Sequence, residues 1–215
     1  IAKLIETADR QQNTLLISST PIIVRALQGV FPQSFRDLVP IAAMIADYSC
    51  FAVRADSEIQ NFSDLANRYK TDARSIVVAG GSVRGNTDHF VLAKALQLSG
   101  ANPKKLIYLA YDGGGKAAAG LLSGETQVLS TGLSEALQMH QAGLLRIIAV
   151  TAPSPMSHLP DLPLLKAQGI DLVFANWRGF FAAKGLGEDQ YARMRHTLRA
   201  VSETAEFKAI RLRNG

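Results

Sequence analysis

The residues best suited to chemistry lie in turns that are rich in glycine and hydroxyl groups. Residues 79–90 read Ala-Gly-Gly-Ser-Val-Arg-Gly-Asn-Thr-Asp-His-Phe. Two glycines and Ser82 come before a predicted helix that begins at Thr87. Exposed backbone N–H groups at such a turn attract an anion, and glycine lets the anion approach the chain. Ser82 and Thr87 add hydroxyl donors, although the same glycines also suit a tight turn that binds nothing.

Two further turns of this kind follow the next two predicted strands. Residues 112–116 read Asp-Gly-Gly-Gly-Lys, and residues 130–135 read Ser-Thr-Gly-Leu-Ser-Glu. The first does not meet the spacing of a nucleotide phosphate loop, because Ala117 follows the lysine. We therefore reject nucleotide hydrolysis. Three donor-rich turns after three consecutive strands favour an anion-binding site more strongly than any one of them alone.

Arg178 lies in a fourth polar segment, residues 176–179, which follows a predicted strand. A guanidinium group could clamp a ligand carboxylate with two hydrogen bonds. It could equally pair with an aspartate of the protein. The sequence leaves both possibilities open.

The sequence shows no group of residues at the spacing of a catalytic site or a metal site. The chain has four histidines that lie far apart and one cysteine, Cys50, in an apolar strand-like run typical of a buried core thiol. His89 beside Asp88 is the single acid–base candidate, and a helix-capping role is favoured for it. We therefore expect no catalytic residues, no metal, no cofactor and no enzymatic activity.

The distribution of charge along the chain indicates which kinds of partner the protein can bind. The net charge is +5, with basic residues scattered along the chain rather than massed on one stripe. Neither a recognition helix nor a set of stacking aromatics accompanies them, so no nucleic-acid partner is expected. A mild positive charge suits an anionic ligand without choosing one.

Strand-like and helix-like runs alternate along the chain. This alternation predicts an α/β protein with mostly parallel sheets flanked by helices. In such sheets ligands bind beyond the carboxyl ends of the strands, which is where the polar turns fall. The predicted strands cover residues 14–18, 75–79, 106–109, 127–130, 145–151 and 171–175, and residues 41–54 are predicted to contain two more extended segments. The predicted helices cover residues 1–8, 63–70, 87–99, 116–122, 133–142, 164–168 and 188–201.

Taken together, the motifs resemble the receptor family of tripartite tricarboxylate transporters, the Bug-type extracytoplasmic solute-binding proteins. The matching segments are Gly80-Gly-Ser-x-x-Gly-x-Thr-Asp-His89, Tyr111-Asp-Gly-Gly-Gly115, Ser130-x-Gly-x-Ser-Glu135, Ala142-Gly-x-Leu-Arg-x-x-Ala-Val150, Leu159-Pro-Asp-x-Pro163 and Ala175-Asn-Trp-Arg-Gly179. Each is common alone, and their order makes the resemblance specific. Arg84 departs from the small residue expected in the first segment.

The resemblance implies a two-lobed fold like that of periplasmic binding proteins, a Venus flytrap of type II. Lobe 1 would combine residues 1–54 with 177–215, and lobe 2 would be residues 55–176. Family members have a further strand, ligand loop and helix before the position of Ile1, and they continue beyond Gly215. We therefore expect the N-terminal part of lobe 1 to be absent.

The resemblance also implies the ligand and its contacts. The expected ligand is a small carboxylate, either a tricarboxylate such as citrate or a dicarboxylate, held largely by backbone amides and hydroxyls. Carried over to this sequence, the ligand-binding residues are Ser18, Ser19 and Thr20 from one lobe with Gly81, Ser82, Thr87, Gly132 and Ser134 from the other; Arg178 is the further candidate.

The implied setting is the periplasm, with a signal peptide that is not in this chain. The implied partners are membrane subunits of the transporter, and the protein is expected to be a monomer. The main alternative is the ligand-sensing effector domain of a LysR-type transcription regulator, which has a similar length and the same two-lobed fold class. That alternative requires DNA-binding helices upstream.

Overall fold

A computed structural model describes residues 1–10, 13–29 and 32–214. Its strands are β1 (Leu16–Ser19), β2 (Leu38–Arg54), β3 (Val77–Gly80), β4 (Ile107–Ala110), β5 (Val128–Gly132), β6 (Leu145–Val150) and β7 (Ala175–Ala183). Its helices are α1 (Ala2–Glu6), α2 (Pro21–Leu27), α3 (Phe62–Thr71), α4 (Thr87–Leu98), α5 (Gly114–Leu122), α6 (Leu133–Gln141), α7 (Glu188–Glu203) and α8 (Ala205–Asn214). Short 3₁₀ turns lie at Ala8–Arg10, Phe35–Asp37, Ala73–Ser75, Pro103–Lys105 and Lys166–Gln168.

Helix α3 shows how local sequence sets an element. Its buried residues Phe62, Leu65, Ala66 and Tyr69 follow the spacing of one helical face. The structure places the N-cap at Asn61, two residues before the predicted start of this helix at residue 63. The side chain of Asn61 accepts a hydrogen bond from the Asp64 N–H at 2.9 Å, which satisfies one of the free N–H groups of the first turn.

The strands form a mixed sheet with the order β1-β7-β2-β5-β3-β4, and β6 pairs with β2. Strand β3 runs parallel to β4 and β5. Strand β2 runs antiparallel to β5 and β6, and β1 runs antiparallel to β7. The α/β class is confirmed, whereas the expectation of mostly parallel sheets holds only around β3. Apolar strand patterns carry no information on direction, which is set by the connections between strands.

The chain divides into two compact units. Unit 1 consists of Ile1–Ala46 and Asn176–Arg213, and unit 2 contains Asp47–Ala175. The first division falls inside β2, earlier than the expected boundary after Arg54. The boundary falls there because residues 49–54 of β2 are hydrogen-bonded to β5 and β6, which belong to unit 2. That these units act as the two lobes of a binding protein stays a prediction.

Unit 2 is built around β2, which is buried on both faces. Cys50 and Ala52 point into one apolar cluster with residues of α5 and α6. Phe51 and Val53 point into a second cluster with residues of α3 and α4. Successive strand side chains face opposite sides of a sheet, so this continuous apolar run requires helices on both sides. The expectation that Cys50 is a core thiol is confirmed by its exposure of 0%.

Unit 1 has a smaller core around β7. The Trp177 ring packs against that of Phe181, with 5.9 Å between the ring centres. The predicted strand at residues 171–175 is wrong, since β7 begins at Ala175. Strand β1 stands at the end of the strand order, and its Ile17 is 60% exposed.

Two backbones meet closely at the ends of β3 and β4. The Gly113 N–H donates to the Gly81 carbonyl at 3.0 Å. A Cβ atom on Gly81 would lie 2.5 Å from the Gly114 nitrogen and 2.6 Å from the Gly113 carbonyl carbon. Glycine at position 81 is therefore required by space.

We expect Gly81→Ala to lower the free energy of unfolding by roughly 1–3 kcal/mol, the usual cost of overpacking. Gly115→Ala is the matched control, because Gly115 lies in α5 and a Cβ atom there would have nothing within 4 Å. It should leave stability unchanged or raise it by up to roughly 1 kcal/mol, since alanine favours helix. Urea unfolding measures both. Equal stability of the two variants would contradict the close approach.

Candidate functional site

The three polar turns of unit 2 lie side by side. We call residues 80–82 turn A, residues 112–115 turn B and residues 130–134 turn C. The parallel register pairs Gly80 with Ala110 and also with Ser130. The carboxyl ends of β4, β3 and β5 therefore lie next to one another, and the structure brings the three turns to one edge of the sheet.

Turn A is organised by Asp88 in the first turn of α4. The Ser82 hydroxyl accepts a hydrogen bond from the Asp88 N–H at 3.2 Å. Burial raises the pKa of the Asp88 carboxyl, whereas the Ser82 hydroxyl and the N–H groups of Ser82 and Gly81 lower it, so these donors lie near the carboxyl. An acidic group of the protein itself therefore lies beside donors that the sequence assigned to a ligand.

Two neighbouring strands brace this arrangement. The Tyr108 hydroxyl on β4 donates to the Ser82 carbonyl at 2.7 Å. The Ser130 hydroxyl on β5 donates to the Asp88 carbonyl, also at 2.7 Å. Because both hydroxyls belong to buried side chains, turn A and the start of α4 are held in one position.

Turn C carries a second internal carboxylate. Asp47 of β2 accepts hydrogen bonds from the Ser134 N–H at 3.2 Å and from the Ser134 hydroxyl at 2.8 Å. The same carboxylate packs against Gly132, where a side chain would collide with it. Asp47 is only 4% exposed. A carboxylate at the N-terminus of α6 also interacts favourably with the helix dipole.

Turn B is faced by a third carboxylate, that of Glu135 on α6. It packs against Gly114, where a Cβ atom would overlap it. The Thr131 hydroxyl donates a hydrogen bond to the same carboxylate. Each of the three turns therefore has an acidic side chain of the protein against it.

Thr87 is the first residue of α4 and bonds the N-cap residue of that helix. It is 5% exposed, and its hydroxyl donates to the Asn86 side chain at 3.2 Å. The Asn86 side chain also accepts a hydrogen bond from the Thr87 N–H at 2.8 Å. Thr87 therefore contributes to the cap of α4, and its predicted ligand role stays a prediction.

The predicted residues of unit 1 also lie together. Ser19 of β1 pairs with Arg178 of β7, and Ser18 pairs with Gly179. The Thr20 N–H donates to the Asn176 side chain at 3.3 Å. The Thr20 hydroxyl is buried and has no hydrogen-bond partner among the described residues. Side chains opposite one another on paired strands share a face, so Ser19 and Arg178 form one polar patch.

Sequence reasoning missed the acidic residues that complete these turns. Asp47 interrupts an apolar strand run, and an acidic residue in such a run indicates that it has a buried polar partner. Glu135 was read as part of a turn, and Asp88 as a partner of His89. Nothing in their spacing indicated which turn each would face, because the contacts join residues up to 87 positions apart.

Burial dominates the electrostatics around turn A. It raises the pKa of Asp88 to about 6; the Ser82 hydroxyl opposes this shift, and the Glu135 charge adds to it. Burial also raises the pKa of the Cys50 thiol well above its usual range, with Asp47, Glu135 and Asp88 adding to the shift. The pKa of His89 is lowered, first by burial and then by Arg84.

Membrane-spanning helices and metal clusters are both missing from the part of the chain that the structure describes. None of the helices in residues 1–10, 13–29 and 32–214 is long and apolar enough to cross a bilayer. Within the same ranges, no three side chains of His, Cys, Asp or Glu come together as a metal site would require.

The fold is that of solved periplasmic binding proteins. The structure resembles the periplasmic binding protein BugD with a TM-score of 0.84 and 19% identity, over 99% of this chain and 71% of that one. It also resembles MatC of Rhodopseudomonas palustris with bound malate, with a TM-score of 0.76 and 16% identity, over 95% of this chain and 72% of that one.

The sequence identifies the family. Residues 9–215 match the pattern of the tripartite tricarboxylate transporter family receptor, and the chain belongs to this family. A curated relative, a UPF0065 protein of Bordetella bronchiseptica, is 27% identical over 128 residues, which is 60% of this chain and 36% of that protein. The family expected from the motifs is thereby confirmed.

The raised pKa of Asp88 makes a prediction about stability. A carboxyl group whose pKa is higher in the folded than in the unfolded state binds protons more tightly when folded. Its stabilising contribution is complete below pH about 4 and is lost as the pH rises through about 6. Between these limits wild-type protein should lose up to roughly 3 kcal/mol relative to Asp88→Asn, which cannot ionise.

Thermal or urea unfolding from pH 4 to 8 measures this difference. Asp171→Asn is the control, because Asp171 is an exposed carboxylate of unit 2. Its stability curve should run parallel to that of wild type. Parallel curves for Asp88→Asn and wild type would show that Asp88 does not titrate in this range.

Proposed function

We propose that this protein is an extracytoplasmic solute-binding receptor that captures a small carboxylate for a tripartite tricarboxylate transporter. Family membership supports the receptor role. The malate bound to MatC, a protein of the same fold, supports a carboxylate as the class of ligand. Within this class a dicarboxylate or a tricarboxylate such as citrate is the proposed ligand.

The observation that carries the proposal is the meeting of turns A, B and C at one sheet edge. Backbone N–H groups and hydroxyls converge there from two helix starts and three strand ends. Such groups bind carboxylates by hydrogen bonding without a full opposing charge. Bridging waters can adapt them to ligands of different length.

The proposed ligand contacts are those expected from the sequence. In unit 2 they are Gly81, Ser82, Thr87, Gly132 and Ser134; in unit 1 they are Ser18, Ser19, Thr20 and Arg178. The partnerless Thr20 hydroxyl supports the unit 1 set, because a buried hydroxyl without a partner costs free energy that a ligand oxygen would recover. The Ser19–Arg178 pairing places a cation beside these hydroxyls.

The proposed setting is the periplasm, where receptors of this family deliver ligand to membrane subunits. An enzymatic role is not proposed, because the acidic residues of the site are engaged with its own turns. The LysR-type alternative is set aside, since the family match covers residues 9–215 with a transporter receptor.

A ligand screen tests the proposal. Citrate, malate, succinate and benzoate are added to the protein at pH 6 and pH 7.5, and the melting temperature is recorded. A ligand that binds the native state raises the melting temperature by mass action. Isothermal titration calorimetry of each positive ligand then gives the dissociation constant. The absence of stabilisation by any organic acid at either pH would overturn the proposed function.

Ser82→Ala tests the role of turn A in this binding. We expect it to weaken binding by roughly 1–3 kcal/mol, the scale of a hydrogen bond to a charged group. It should also lower the stability of the fold slightly, because the Ser82 hydroxyl accepts a hydrogen bond from the Asp88 N–H. Affinity is therefore measured well below the temperature of unfolding. Ser123→Ala is the control, since this serine lies at the far end of α5 and bonds the Gly120 carbonyl. Unchanged affinity in Ser82→Ala would exclude Ser82 from the ligand contacts.

A further inference from the structure

The three hydroxyl groups of turn C all donate to acceptors of the protein itself. The pairs are Ser130 with the Asp88 carbonyl at 2.7 Å, Thr131 with the Glu135 carboxylate, and Ser134 with the Asp47 carboxylate at 2.8 Å. The Ser134 N–H also donates to Asp47, at 3.2 Å. A hydroxyl group has one proton to donate and two lone pairs that accept. Turn C therefore presents hydroxyl oxygens, and no hydroxyl proton, to a ligand.

Glu135 places a further acceptor beside turn C. Its carboxylate lies between turns B and C, because Oε2 accepts a hydrogen bond from Thr131 and both oxygens pack against Gly114. Thr131 is fully buried, whereas Glu135 is exposed. The Oε1 atom of Glu135 has no hydrogen-bond partner in the part of the chain that the structure describes, so it is open to a ligand.

The charge of Glu135 is not neutralised by a cation. Among residues 1–10, 13–29 and 32–214, no lysine or arginine forms an ion pair with it. Lys116 of the neighbouring helix α5 instead pairs with Asp112 at 3.1 Å. An unpaired carboxylate repels a second carboxylate and binds strongly to a hydrogen-bond donor. The space between turns B and C is therefore better suited to a donor group of a ligand than to its carboxylate.

The sheet brings this acceptor within reach of a ligand held at turn A. Gly80 at the start of turn A pairs with Ser130 at the start of turn C. Paired strands lie about 4.8 Å apart. A short acid whose carboxylate is bound at turn A therefore brings the substituents of its next carbon atoms close to turn C.

We propose that Glu135 is a specificity-determining residue, and that it accepts a hydrogen bond from a hydroxyl or ammonium group on the carbon chain of the bound carboxylate. This inference rests on the proposed function, because it requires a ligand carboxylate at turn A. The Ser134 oxygen is the second acceptor, so Ser134 contacts the ligand through its lone pairs. An acid without a donor group would remove water from Oε1 of Glu135 without replacing its hydrogen bond, which is costly.

Isothermal titration calorimetry of the full chain with matched acids tests this selection. Succinate, malate and aspartate share a four-carbon skeleton with two carboxylates, and they carry no donor, a hydroxyl and an ammonium group respectively. Tricarballylate and citrate differ only in a hydroxyl group. We expect a donor-bearing acid to bind about 10- to 100-fold more tightly than its donor-free partner, the scale of one hydrogen bond to a charged group. The comparison of malate with aspartate shows whether the donor is a hydroxyl or an ammonium group.

Glu135→Met removes the acceptor and keeps the length of a side chain that favours helix. The preference for the donor-bearing acid should fall to about threefold or less, since the hydrogen bond to a charged group is lost. Glu58→Met is the matched control and should keep the wild-type preference. Glu58 is an exposed glutamate that pairs with Arg68, and it follows the end of β2 that lies away from turn C.

Equal affinity of wild-type protein for donor-bearing and donor-free acids, or binding of benzoate alone, would overturn the inference and leave the proposed function intact. A preference that survives in Glu135→Met would equally overturn it. The same holds if all acids are weakened alike, because Glu135 would then have a purely structural role.

If Glu135→Met does not fold, Glu135→Gln is measured in its place. Glutamine keeps the shape and one oxygen for the Thr131 hydroxyl, and it replaces the other acceptor with a donor, so the preference should again be lost. Failure of all five matched acids and of benzoate to bind to wild-type protein would instead overturn the proposed function.

Discussion

Turns A and B meet backbone to backbone, with the Gly113 N–H bonded to the Gly81 carbonyl and no room for a side chain on Gly81. This approach draws the starts of α4 and α5 towards one another at the ends of β3 and β4. A larger residue at position 81 would force the two turns apart.

Concentrated donors attract acidic groups of the protein as well as ligands. Asp88, Asp47 and Glu135 each lie against one turn, and each reaches it from a different element. They satisfy N–H and hydroxyl groups that would otherwise be buried or poorly solvated, which is costly. Each of the three turns therefore lies against an acidic residue of the protein itself.

The sequence predicted the parts of this structure that are encoded locally. Glycine pairs after apolar runs located turns A and B, and helical spacing located α4 and α6 to within a few residues. Strand direction was not encoded, so the antiparallel course of β2 differs from the expectation. The unit boundary at Ala46 depended on how residues 49–54 pair, which local patterns do not show. The acidic partners were missed for the same reason, since Asp47 and Ser134 meet only after the sheet has formed.

The burial of Cys50 has a practical consequence for measurement. It is the single cysteine of the chain, it is 0% exposed, and burial raises the pKa of its thiol so that it stays in the protonated, unreactive form. A cysteine introduced at a chosen surface position would therefore react alone with a maleimide fluorophore, without prior removal of the native thiol. One labelled residue near turn B could report ligand arrival as a change in emission. The native sequence thus already leaves the introduced cysteine as the single reactive position that a reagentless optical sensor built on this protein requires.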